Sequence, residues 1–123
     1  MKKTITLEIP RQLEMLCSLL ETTPERVIQG FIDDVSLGRR SNGSDERMMA
    51  TDYLLRCGYG MHLFDYDQQQ EMLEGLNQIR YDFYLFGNDQ QAAYNRYAQK
   101  EMKAWHLKWK KIKEQMQVKE KGQ

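Results

Sequence analysis

Only one stretch of this 123-residue chain carries the pattern of a β-strand. Thr4-Ile5-Thr6-Leu7-Glu8-Ile9 alternates polar and apolar side chains, favours β-branched residues and is closed by Pro10. The alternation predicts a short half-buried strand with Ile5, Leu7 and Ile9 on its inner face. No second stretch of the chain is a convincing strand. A strand without a partner leaves its backbone N–H and C=O groups unpaired, and even a two-stranded ribbon needs helices packed on it. The simplest partner is the same strand of a second copy, forming an antiparallel ribbon across a two-fold axis. A homodimer is therefore expected from the pairing requirement alone.

The rest of the chain is helical in character. Leu13, Leu16, Cys17 and Leu20 recur at helical spacing between Arg11 and Glu21. Thr23-Pro24 then starts a second helix, threonine as the cap and proline in the first turn, with Val27, Ile28, Phe31, Ile32 and Val35 on one face. Gly38 and a polar linker from Arg39 to Ser44 close this unit. A third helix is predicted from Ser44 or Asp45 to about Cys57, interrupted by Gly58 and Gly60. Asp65 or Asp67 opens a fourth, whose seam is Met72, Leu76, Ile79, Phe83 and Phe86. Gly87-Asn88-Asp89 both stops that helix and caps the next. The fifth repeats the rhythm through Ala98, Met102, Trp105, Trp109, Ile112 and Met116. Two such seams joined by a tight turn predict an antiparallel helical hairpin over 65–118, with residues 119–123 as a frayed tail.

Charge divides along the chain although the formal total is zero. Residues 100–123 hold eight Lys against Glu101, Glu114 and Glu120, a net of +5, so the residues before them carry −5. A neutral total argues against tight, indiscriminate nucleic-acid binding, while the basic end leaves a local contact open. Lys108, Lys110, Lys111 and Lys113 form the expected basic helix surface, interleaved with Trp105 and Trp109. Such a surface suits nucleic acid, an anionic membrane or an acidic protein. Because both tryptophans fall on the seam, they read as core and the lysines as the solvated back of the helix. No apolar run approaches the length of a bilayer span, Glu8 and Pro10 interrupt any leader-like start, and a cytoplasmic location without membrane association is the default.

Residues 4–37 resemble a ribbon-helix-helix module. The segment carrying the resemblance is Thr4 to Pro10, then Leu13, Leu16 and Leu20, the Thr22-Thr23-Pro24-Glu25 turn, and Val27 to Val35. The resemblance implies an intertwined dimer whose ribbon enters the DNA major groove. It implies base contacts from the outward residues Thr4, Thr6 and Glu8, since threonine meets several base edges and a carboxylate accepts from a cytosine amino group. Thr22 and Thr23, with the amides at the start of the second helix, become the implied phosphate contact. Glu8 departs from the arginine or lysine usual in that family, and residues 1–40 balance six basic against six acidic side chains.

No catalytic constellation assembles in the sequence. His62 and His106 lie far apart, without zinc-like spacing to Cys17 or Cys57. Asp65-Tyr66-Asp67 lacks the central glycine and acidic twelfth position of a calcium loop. Adjacent Asp33 and Asp34 point about 100° apart on a helix and make no acid/base pair by themselves. No metal, no cofactor and no enzymatic activity are expected.

The expectation is a mainly α protein: a ribbon-helix-helix-like dimerisation unit over 1–40, then a three-helix extension over 45–118 ending in the long hairpin. Its expected function is that of a DNA-associated dimeric accessory protein or small transcriptional regulator, antitoxin-like in layout. The ribbon would contact double-stranded DNA and the C-terminal hairpin would bind a protein partner. The alternative is a non-catalytic scaffold dimer that binds no nucleic acid.

Overall fold

The computed structural model describes residues 2–36, 42–87 and 89–121, with side chains through Lys119. The expected linker residues Gly38, Arg39, Arg40 and Ser41, the turn residue Asn88 and the tail residues Gly122 and Gln123 lie outside the described residues. The chain is mainly helical: α1 (Arg11–Leu19), α2 (Pro24–Val35), α3 (Ser44–Arg56), α4 (Gly58–Met61), α5 (Tyr66–Tyr81), a 3-10 turn (Asp82–Leu85) and α6 (Gln91–Lys121).

The hairpin holds the main core. Gln68 Nε2 lies 3.3 Å from Met116 Sδ, Trp105 Nε1 donates to the Met72 carbonyl at 3.1 Å, and the Tyr94 hydroxyl donates to the Ile79 carbonyl at 3.1 Å. Contacts that descend α6 as they climb α5 make the two helices antiparallel. Met72, Leu76, Ile79, Tyr94, Ala98 and Trp109 are buried, so the three- and four-residue seam faces inward as its spacing predicts. Gly75 lets the indole of Trp105 lie close against α5, where a Cβ would press on its ring. Asp65 opens α5 with a reciprocal capping box to Gln68, at 2.8 and 3.0 Å.

Three expectations for the extension are corrected. α5 stops at Tyr81, and Phe83 belongs to the 3-10 turn and Phe86 to its end rather than to a continuous helix. The cause is tertiary: buried Asp82 accepts from Gln78 Nε2 at 2.7 Å and from the Tyr97 hydroxyl. The tightened chain lets Phe83 and Phe86 meet the Tyr94 ring edge-on, at 5.1 and 5.7 Å. The glycine break holds a helix of its own, α4, giving the extension four α-helices. Gly60 approaches the last turns of α3 so closely that a Cβ there would collide with the Leu55 carbonyl. Helix α6 continues to Lys121, so the expected frayed tail is helical as far as it is described.

At the N-terminal end α1 packs on α2 and α2 on α3. Residues 2–10 carry no secondary structure, and no strand occurs among the described residues. The predicted strand is therefore not formed within one chain. No backbone group of residues 2–9 is hydrogen-bonded within it. Ile5 is 68% exposed and Leu7 55%, so of the predicted inner face only Ile9 is half-buried. Cys17 is the one buried residue of α1, as its position predicts, but Leu16, Leu19 and Leu20 beside it are exposed.

Candidate nucleic-acid interface

Thr4, Thr6 and Glu8 are all exposed on the N-terminal arm. Their neighbour Ile9 is half-buried, and Pro10 leads directly into α1, its carbonyl accepting from Leu13 N at 3.0 Å. The arm is thus anchored at its C-terminal end and unpaired along the rest.

The α1–α2 turn is built tightly. Thr22 N donates to the Cys17 carbonyl at 2.8 Å, and Glu21 takes a left-handed conformation with φ 58° to close the first helix. Thr23 is the N-cap of α2, its Oγ1 accepting from Arg26 N at 3.2 Å, with Pro24 at the first turn. One of the amides expected to hold a phosphate is thereby occupied by the cap itself. Thr22 lies half-buried at the rim of a cavity of about 710 Å³ between α2 and α3, which Arg26, Phe31 and Tyr53 also line. The phosphate-contact pair is therefore split: Thr23 is the capping residue, and Thr22 faces the cavity.

This unit is joined to the hairpin by a buried cation. Arg80 of α5 is 6% exposed; its Nη2 donates to the Val35 carbonyl at 3.2 Å and to Thr51 Oγ1 at 2.9 Å. A guanidinium at the C-terminal end of α2 satisfies a terminal carbonyl and meets the negative end of the helix dipole. Its Nε is buried without a hydrogen-bond partner. Burial, and then the neighbouring Arg47 charge, bring its pKa down to about 10. Asp34, also buried, accepts from Asn42 N at 2.8 Å and so fastens the residues before α3 to α2. Its neighbour Asp33 instead accepts from Gln29, so the two carboxyls have the divergent surroundings their spacing predicts.

Sequence reasoning missed Arg80 as a junction. The available signal was its position: it lies seven residues after buried Leu73 and four after buried Leu76, on the face that otherwise carries the seam.

The four lysines of the basic helix surface do not act as one group. Lys108 pairs with Glu71 at 2.7 Å and lies 5.2 Å from the Trp109 ring centre. Lys111 borders a shallow depression with Glu114 and Gln115. Lys110 and Lys113 open onto a separate cleft beside the α4–α5 turn. Trp109 is 4% exposed and Trp105 half-buried, so both belong to the seam. Among the described residues no three His, Cys, Asp or Glu side chains form a metal-binding group, and no helix is long and apolar enough to cross a membrane. No protein family, no curated protein and no solved structure matches this chain.

Proposed function

We propose that the protein is a dimeric, non-catalytic DNA-associated accessory protein or small transcriptional regulator. Two arms pair as an antiparallel ribbon, Thr4, Thr6 and Glu8 face DNA in the major groove, and the helical extension receives a protein partner in an antitoxin-like layout. The observation carrying this reading is the N-terminal unit's lack of self-sufficiency. The arm has no backbone hydrogen bonds, and Ile5, Leu7, Leu16, Leu19 and Leu20 are all more than half exposed. A second copy supplies both missing components, ladder hydrogen bonds for the arm and an apolar surface for α1. Covering each such side chain favours association by on the order of 1 kcal/mol, set against the entropy of bringing two chains together.

The scaffold reading has its own observation in Glu8, which adds a negative charge to the face that would approach phosphates. The readings separate on one experiment. Purified protein is titrated with fragmented genomic DNA at low and rising salt, alongside the Thr4→Ala/Thr6→Ala variant. The DNA reading expects selective binding that weakens with salt and a loss of selectivity in the variant, the dimer remaining intact. Absence of binding at low salt would leave the dimeric scaffold.

A further inference from the structure

The basic residues of α6 have different neighbours on its two flanks. On one, Lys108 is tied to Glu71 and Lys111 sits beside Glu114. On the other, His106, Lys110 and Lys113 border a cleft of about 420 Å³ with Leu63 and Phe64 of the α4–α5 turn. Its base is apolar: Phe64 meets the buried Trp109 ring edge-on at 5.8 Å. Among the described residues no carboxylate lines it. Cations around a low-dielectric floor attract an anion more strongly than the same charges on an open helix.

The same side of the helix continues the pattern. Arg96, Lys103 and Lys110 are exposed and recur every seven residues, about 10.5 Å per step along an α-helix. Arg96 borders a second cavity, of about 560 Å³, where Ser36 and Gln99 add neutral hydrogen-bonding groups. From Arg96 to Lys110 the track is linear and positive, and Val35, Ala98 and Met102 give the second cavity an apolar lining.

We propose that this flank of α6 is a second nucleic-acid contact, with the phosphodiester backbone seated between Lys110, Lys113 and His106 and running past Lys103 towards Arg96. The proposal rests on the reading that the protein works on DNA, and not on the ribbon as the element that reads bases. An anionic membrane fits less well. An interfacial helix inserts its apolar face among lipids, whereas here Trp105 is engaged with α5 and Trp109 is buried against Phe64.

The test compares two double variants of the intact chain, each removing two positive charges from α6. Lys110→Gln/Lys113→Gln alters the cleft, and Lys108→Gln/Lys111→Gln alters the other flank. Affinity for a fluorescein-labelled random-sequence duplex is measured against salt, with Thr4→Ala/Thr6→Ala in parallel and circular dichroism to verify folding. The cleft variant is expected to lose on the order of tenfold in affinity at about 0.1 M salt and to reduce the salt slope by about 1.8, two phosphate contacts at ~0.9 each. The other-flank variant should change affinity by less than about twofold, because Lys108 is already paired with Glu71 and Lys111 lies outside the cleft. Equal losses in both lysine variants, or no duplex binding by the parent protein, overturn the proposal. So does binding to phosphatidylserine vesicles that depends on Lys110 and Lys113 when duplex binding does not. A cleft variant that binds like the parent while Thr4→Ala/Thr6→Ala loses affinity overturns this proposal and leaves the ribbon reading standing. The reverse result sustains the cleft and removes the ribbon.

Discussion

Residues 66–119 and residues 2–36 both carry apolar side chains at helical spacing, but they stand in opposite relation to solvent. In the hairpin the repeat is closed within one chain: α5 meets α6, and Met72, Leu76, Ile79, Tyr94 and Trp109 are buried. In the N-terminal unit Cys17 and Asp34 are the buried residues of α1 and α2, while Leu16, Leu20, Val27 and Ile32 remain exposed. The difference is one of available partners. A 16-residue helix beside a 31-residue helix can cover its own stripe, whereas an arm without secondary structure and helices of 9 and 12 residues leave much of theirs exposed. One region buries its apolar seam within one chain; the other leaves much of its apolar surface exposed.

The sharpest way to break this comparison is inside the hairpin. Trp109→Ala removes a buried indole and is expected to cost about 3–5 kcal/mol, read as a lower denaturant midpoint that does not depend on protein concentration. At the junction, Thr51→Val keeps the shape but withdraws an acceptor from buried Arg80. Its expected cost is about 1–3 kcal/mol, with hydrogen exchange at the end of α2 accelerating alongside that of α5. In the N-terminal unit, Leu16→Ser/Leu20→Ser alters side chains that are 58% and 72% exposed in one chain. The monomer should be nearly unaffected, and the dimer weakened by about 1–2 kcal/mol per side chain, seen by dilution in light scattering.

The smallest effect concerns pH. The hydrogen bond to Asp82 lifts the Tyr97 phenol to about 12, above its ordinary value of 10.0. A folded-state pKa that is raised gives stability present in full below the ordinary value and lost as pH climbs through the folded one. Denaturant midpoints should therefore fall between about pH 10 and 12, and Tyr97→Phe should lose less over that interval than the parent.

Those contrasts also explain which parts were legible beforehand. The hairpin was readable because its seam is a local repeat, and the caps at Thr23 and Asp65 are short-range signals that formed where the residues predict. The 3-10 turn was not readable, since it depends on Asp82 meeting Gln78 and Tyr97, the latter fifteen residues away. Helix α4 was hidden for a similar reason: Gly60 is needed by the closeness of α3, which glycine propensity alone reports only as a break. Within the candidate interface, alternation predicts exposure of Thr4, Thr6 and Glu8, but Ile5 and Leu7 are exposed beside them, so the exposure comes from an arm with little packed on it and not from the two faces of a strand. The division of the lysines was not readable, because Glu71 and the Leu63–Phe64 turn reach α6 from distant parts of the sequence.

The central claim is that the N-terminal unit is completed by a second copy, and sedimentation equilibrium of the intact chain at micromolar concentration tests it most directly. The account predicts a species of twice the 14.7 kDa chain mass that shifts towards the monomer in Leu16→Ser/Leu20→Ser. A parent protein that sediments at 14.7 kDa across the concentration range would contradict it.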